Sequence, residues 1–273
     1  MVEQASRVPS VSINTLCLEP GGFEAHVVTV VQVGATAISP EREEIAACGS
    51  SRAAQILRDA GLSVVTLTHR AFGYTTSAEA AKQRRRLDET IDLAHAIGAS
   101  SVCLTSGPRG ELSWKEAALR FADEIAPSVE HARTAGVSLG LEPTSHLYAD
   151  VSIAHRLADA VTLARAAKIN VGLDLFPCWM DSDIEDAIAA AGPLCAFVQV
   201  SDYVLGDRGL PCRAVPGDGS VPLGRLIRLI LATGYRGPFD IEVIGARLLA
   251  EGRAVGLRRA MARVQQWIKS EMP

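Results

Sequence analysis

Three runs decide the fold: Val-Ser-Leu-Gly-Leu-Glu over 137–142, Ile-Asn-Val-Gly-Leu-Asp-Leu-Phe over 169–176, and Cys-Ala-Phe-Val-Gln-Val-Ser-Asp over 195–202. Each is a nearly continuous apolar run with an acid at or near its end. Such runs fit strands of a parallel sheet buried on both faces, whereas a half-solvated antiparallel strand alternates apolar with polar. Similar runs begin at Val11, Ala35, Ser63, Ser100 and Phe239. Between the runs lie helix-length segments with apolar residues three and four apart, such as Leu87, Ile91 and Ala94, or Leu226 and Ile230. Several of these segments stop at a glycine just before the next run: Gly34, Gly61, Gly98, Gly136 and Gly234. Glycine is the residue that most readily takes the left-handed cap needed to end a helix and turn back into a sheet.

Eight strands alternating with eight helices predict an α/β fold of parallel βαβ units. At 273 residues the repeat averages about 34 per unit, the scale of a (β/α)8 TIM barrel. A doubly wound open sheet would want a G-x-G-x-x-G loop after an early strand, and none follows any strand; Gly217-Asp218-Gly219 lies in a long loop. The expectation is a single domain over 1–273, with the barrel spanning about 11–270. Hydrophobic residues make up 48% and charged residues 21%, enough for a large core and too little charge for a disordered chain. A formal net charge of −4 argues against a dedicated nucleic-acid binder, and no apolar stretch is long enough to span a membrane. Met1–Arg7 is polar and does not read as an export signal, so the expected location is cytoplasmic. The six cysteines contain no C-x-x-C pair and read as free thiols, with Cys178 and Cys212 on the functional face.

In such a barrel the active site is built at the carboxyl ends of the strands. The first half offers Asn14 and Thr15, Ser39 to Glu41, His69 and Arg70, and Ser106 to Pro108. The second half is sharper: Glu142 ends strand five, Asp174 strand six, strand seven carries Gln199 and Asp202, and strand eight carries Glu242. Carboxylates in apolar company are costly to bury without compensation, and several together raise one another's pKa. A divalent cation resolves both problems. The oxygen-rich set Glu142, Asp174, Gln199 and Glu242 favours Mn2+, Mg2+ or Co2+ over a thiolate zinc site.

From about Ser12 to Gly245 the chain resembles the xylose-isomerase-like barrels, the superfamily of sugar isomerases and epimerases that also holds inosose dehydratases, hydroxypyruvate isomerases and apurinic-site endonucleases. The resemblance rests on Leu141-Glu142-Pro143, Gly172-Leu173-Asp174-Leu175-Phe176, Val198-Gln199-Val200-Ser201-Asp202, Arg213 to Gly219, and Gly234-Tyr235-Arg236-Gly237 followed by Glu242. It implies that Glu142, Asp174, Gln199 and Glu242 ligate the metal, that Glu142 and Glu242 carry the proton, and that Arg213 binds substrate oxygens. Many members have histidine where this chain has Gln199; hydroxypyruvate-isomerase-like members are similar to it in using glutamine. The family's D-x-x-H is broken, because Pro177 stands three after Asp174. His146 and His69 are the candidates to replace that histidine at the substrate, with Trp179, Phe176 and Tyr148 as an aromatic wall. His26, His95, His131 and His155 fall in expected helices and read as bystanders. Lys82 and Arg84 to Arg86 sit beside Asp88, Glu89 and Asp92, the pattern of a solvated, salt-bridged helix face.

The implied activity is that of a metal-dependent isomerase or epimerase acting on a small sugar, keto-polyol or hydroxy-ketone through an enediolate formed by α-proton abstraction. The alternative is a metal-dependent lyase or dehydratase, in which the same first step leads to β-elimination. An apurinic-site endonuclease and a non-catalytic binding protein rank below both. The expected partner is a small carbohydrate-like molecule, with no nucleic acid and no membrane. A homo-oligomer is left open by the expected helix from Leu248 to Ile268, whose Leu257, Met261 and Val264 could pack on the barrel or on a neighbour.

Overall fold

The computed structural model describes residues 8–272; Met1–Arg7, where the export signal was sought, lie outside them. Eight parallel strands form one ring: Val11–Asn14, Ala37–Ser39, a third strand in two pieces (Ser63–Val64 and Thr66–Ala71), Ser101–Thr105, Ser138–Leu141, Asn170–Asp174, Cys195–Val200 and Phe239–Ile241. Strand one pairs with strand eight, with Val11 opposite Phe239. The first piece of strand three pairs with strand two and the second with strand four, so the ring closes across it. Crossover helices such as Ser77–Ala96 and Trp114–Ala135 surround the ring, joined by the helix Arg253–Ser270 that follows the last strand. This is a TIM barrel. Among the described residues no helix is long and apolar enough to cross a membrane.

The expected helix stops are where the backbone turns left-handed: Gly34, Gly61, Gly98, Gly136 and Gly234 have φ between 65° and 89°. Three expectations about element bounds change. The first run is a strand only to Asn14, because the Asn14 side chain accepts the Leu16 N–H and starts a 3-10 turn over Thr15–Cys17. The last helix breaks at Gly252, giving Ala246–Glu251 and Arg253–Ser270. His155 precedes the helix Leu157–Ala167, its ring against Thr144, rather than lying within it. Leu257, Met261 and Val264 are buried, and their helix packs on strands one and eight of its own barrel. The basic run is bridged to neighbouring helices, Arg84 to Glu124 and Arg86 to Glu43.

Inside the ring, Ala37, Val65, Cys103 and Phe197 make a small core of their own. Phe197 fills space that two glycines leave open. A Cβ on Gly172 would stand 2.3 Å from its ring, and one on Gly140 2.6 Å. The plug therefore sits directly under the strand ends that carry Glu142 and Asp174.

His69 faces away from this interior. It is fully buried between strand three and helix Ser77–Ala96, with Nδ1 2.8 Å from Thr90 Oγ1. Thr90 spends its own hydrogen on Arg86 O and accepts from Arg42, so Nδ1 is the protonated nitrogen. Burial, then the Arg86 and Arg42 charges, push the imidazole down to about 3. The expected substrate role for His69 is corrected to a neutral packing role.

Two outcomes are expected. The unfolded chain takes up a proton at His69 below about pH 6.5 while the folded chain refuses it until about pH 3, so the stability is present above pH 6.5 and lost on acidification. Denaturant titrations should show about 2 kcal/mol less stability from this residue at pH 5 than at pH 7, a difference that His69→Gln removes. Gly172→Ala should destabilise by about 1–3 kcal/mol through overpacking against Phe197, read as a lower melting temperature. An unchanged melt would mean that the ring has room to move.

Candidate active site

The carboxyl ends of the strands open into a cavity of about 420 Å3. Glu142, Asp174, Gln199, Glu242 and Arg213 all line it, so the structure brings the whole expected ligand set together with the expected arginine. Asp174, Gln199 and Glu242 are buried, while Glu142 keeps some exposure to the cavity. Leu16, Leu104, Phe176, Pro177, Leu210 and Ile244 supply much of the remaining wall.

Arg213 is the centre of the arrangement. Its Nη1 donates to Asp174 Oδ1 at 3.1 Å and its Nη2 to Asp174 Oδ2 at 2.6 Å, a bidentate pair. Nη2 lies 3.3 Å from Glu242 Oε1, and Nη1 also donates to Ser201 Oγ. The guanidinium carbon sits 4.6 Å from the centre of the Phe176 ring. Burial works against this cation, but Asp174 and Glu242 outweigh it and hold it charged. Gln199 donates its amide to Glu242 Oε2, leaving its buried Oε1 without a partner. Glu142 accepts from the Cys103 thiol at 2.9 Å.

The two glutamates are not ordinary carboxylates. Burial, then the charges of Glu242 and Asp174, push Glu142 up to about 8. Burial likewise raises Glu242 to about 7, with Arg213 pulling it down and Asp174 and Asp240 pushing it up. Both are therefore biased toward the protonated form relative to an exposed glutamate.

The arginine is aimed by its own loop. Arg213–Ala214 pairs antiparallel with Asp202–Tyr203 just beyond strand seven. Asp202 accepts N–H groups from Gly217 at 2.9 Å and from Gly219 and Val221 at 3.0 Å. A Cβ on Gly219 would lie 2.4 Å from Asp202 Oδ1, so only glycine fits there. Asp202 thus holds the loop and does not line the cavity.

Of the other expected substrate residues, Phe176 and Tyr148 line the cavity, whereas His146 and Trp179 are not among its lining residues. His146 is exposed on the turn His146–Tyr148, while its neighbours Ser145 and Tyr148 do line the wall. Trp179 packs against Tyr203, ring centres 6.3 Å apart, behind Phe176. Cys178 is buried and donates to Asp174 O, and Cys212 lines the cavity. Two residues escaped the sequence reading. Cys103 looked like core filling inside an apolar strand. Asp240 is wholly buried on Ser12, Asn14 and Ser39, and the polar positions of strands one and two were its signal.

The donor set suits a hard divalent cation. Oxygen atoms come from three acids and an amide, and Gln199 Oε1 is buried and unpartnered. The mutual repulsion that raises Glu142 and Glu242 is what such an ion would relieve. As the side chains stand, no three His, Cys, Asp or Glu among the described residues converge into a finished site. Arg213 occupies both oxygens of Asp174, and it must release them for an ion to bind.

Comparison with known proteins adds the following. A 3-dehydroshikimate dehydratase of Pseudomonas aeruginosa is 27% identical over 164 residues, 58% of this chain. The matched part is 25% of that protein, so the chain spans about a quarter of the curated relative's length. A crystal structure of a protein from Sinorhizobium meliloti 1021 superposes with a TM-score of 0.87 at 26% identity, covering 95% of this chain and 98% of that one. The structure of an L-ribulose 3-epimerase gives a TM-score of 0.79 at 19% identity, covering 96% and 95%, a likeness of fold. Residues 24–270 match a family built on this same barrel, and the chain belongs to the xylose isomerase-like TIM barrel family.

Proposed function

We propose that the protein is a metal-assisted lyase of the dehydratase kind, removing a proton from the carbon next to a carbonyl in a small polyhydroxylated substrate. The observation that carries this reading is the pair of carboxyl groups, Glu142 and Glu242, lining one cavity with Asp174, Gln199 and Arg213. Burial and mutual repulsion raise both in the absence of a cation, and a bound ion would lower them while leaving each able to accept and return a proton. Glu142, Asp174, Gln199 and Glu242 would hold the cation, which when bound polarises the substrate carbonyl and acidifies the neighbouring C–H.

The chain's own residues then divide the work. Glu242 is held in its charged form by Gln199 and Arg213; it takes the α-proton, and the C–H electron pair becomes the new C=C bond. Glu142, tethered only by a thiol and raised further, gives its proton to the departing β-hydroxyl, which leaves as water with the C–O electron pair. Arg213, freed from Asp174, turns its fork to substrate oxygens. The apolar wall of Leu104, Phe176 and Ile244 keeps bulk water from the reacting carbon.

Elimination is favoured over proton return on two grounds. The dehydratase is the relative with the higher sequence identity, whereas the epimerase shares the fold at 19%. The wall is also largely apolar, with Pro177 where the family's histidine would meet a sugar hydroxyl. Isomerisation or epimerisation is the second reading, because the same two carboxylates could return the proton to carbon.

The test uses protein loaded with Mn2+ in D2O, with 3-dehydroshikimate and L-ribulose as probes. Loss of water identifies the lyase; deuterium at the α-carbon with composition otherwise unchanged identifies the second reading. Glu142→Gln and Glu242→Gln should each lower kcat by about 10²–10⁴-fold with a smaller effect on KM. Full activity in both variants would remove the mechanism. Separately, Asp174→Asn should weaken Mn2+ binding at least about tenfold by calorimetry, without any substrate present. Equal affinity would take Asp174 out of the ligand set.

A further inference from the structure

Arg70 has a backbone that its surroundings do not explain. Its φ is 77°, in the left-handed region that a branched-out side chain rarely adopts. The other such residue among those described, Lys168, ends the helix Leu157–Ala167, where a left-handed cap satisfies the last carbonyls. Arg70 lies inside strand three, at the register shift between Thr68 and Arg70. Bulges of this kind re-aim a side chain, and they concentrate at barrel rims and beside active sites. Here the shift places Arg70 on the wall of the catalytic cavity, with Thr68 below it and Ala71 beside it.

The arginine's present partner does not account for that conformation. Arg70 pairs with Glu41 from the loop after strand two, but its side chain is 60% exposed. An ion pair in water holds weakly and gives little return for a strained backbone. Glu41 also has separate employment, since its side chain caps helix Arg42–Cys48 in a box with Glu44. Of the two arginines lining the cavity, Arg213 stands at the floor against Asp174 and Glu242, where the proposed reaction uses its fork at the reacting end of the substrate. Arg70 is the one left to meet a second substituent, and its exposed pair with Glu41 is given up at small cost.

We propose that Arg70 recognises an anionic substituent on the substrate, a carboxylate or a phosphate, and so selects an acid derivative over a neutral sugar. This rests on the cavity being the substrate site, as argued above, and adds the class of molecule it takes. The reacting carbonyl end lies toward Glu142 and Glu242, and the anion lies toward the strand-three wall, on the fork of Arg70. A guanidinium presents paired donors to either oxyanion. Placing this cation at the rim keeps it from neutralising the glutamates that must move protons.

The test is binding without turnover, so that it stands apart from the fate of the proposed reaction. Titration calorimetry compares three probes on the full chain: quinate, a cyclic polyol carrying a carboxylate; inositol monophosphate; and neutral myo-inositol. At least one anionic probe should bind ten times or more tighter than myo-inositol, and the tighter of the two identifies the substituent. Arg70→Ala should lose that preference and Arg70→Lys should keep part of it. Arg70→Gly separates function from folding, because glycine accepts the left-handed backbone without strain. It should melt at or above the temperature of the parent and still lose the anion. Glu41→Gln, which keeps an oxygen for the helix cap, should tighten anion binding several-fold by freeing the arginine. Equal affinity for charged and neutral probes, or an anion preference that survives in Arg70→Gly, overturns the proposal. Anion selectivity in a protein that turns over none of the substrates tested would instead uphold it and leave the lyase reading to fall alone.

Discussion

Three carboxylates gathered at one end of an apolar barrel, two of them buried, set the terms for everything around them. Asp174, Glu242 and Glu142 repel one another in a poorly solvated pocket, and some positive charge has to stand among them. In this structure that charge is Arg213, forked onto Asp174, close to Glu242 and stacked on Phe176. Many features of the neighbouring chain follow from keeping it there. Ser201 takes one of its hydrogens, and the short ladder from Asp202 to Ala214 fixes where its strand runs. Asp202 gathers three backbone N–H groups and so fastens the glycine loop behind it. The Pro-Gly-Asp-Gly sequence is thus scaffolding, one layer behind the cavity, for the arginine that lines it.

The two glutamates differ in how they are restrained, and this gives them different characters. Glu242 is held by an amide and a guanidinium, both good donors that favour the charged form. Glu142 has a thiol. The pair is therefore asymmetric before any substrate enters, although both sit at strand ends and both are acids. Asp240 lies on strand eight two residues before Glu242, but with three donors of its own it serves the lower barrel.

Much of the barrel could be read from the chain because its signals are local. Unbroken apolar runs mark strands, and glycines at the left-handed caps mark helix ends; both were visible residue by residue. The floor of the site was legible for the same reason, since an acid closing an apolar strand can only lie at its end. What could not be read was facing. Thr68 and Arg70 turn into the cavity while His69 between them turns out to Thr90, and a lone histidine does not announce its side. Loops were harder still. His146 and Trp179 were placed on the correct face of the barrel, but whether a loop side chain reaches the cavity depends on packing such as that of Trp179 on Tyr203. Cys103 was hidden because a thiol in an apolar run reads as filling until a carboxylate is found beside it.

The aromatic plug formed by Phe197 against Gly140 and Gly172 has a consequence for traffic. Among the described residues it fills the barrel interior beneath the floor of the cavity, and the axis is blocked there. Whatever enters must leave by the same mouth. Under the proposed elimination a released water molecule would have to pass the organic product or wait for it, so departure would be ordered by the shape of the vessel. The mouth, rather than the acids, would govern how fast successive turnovers can begin.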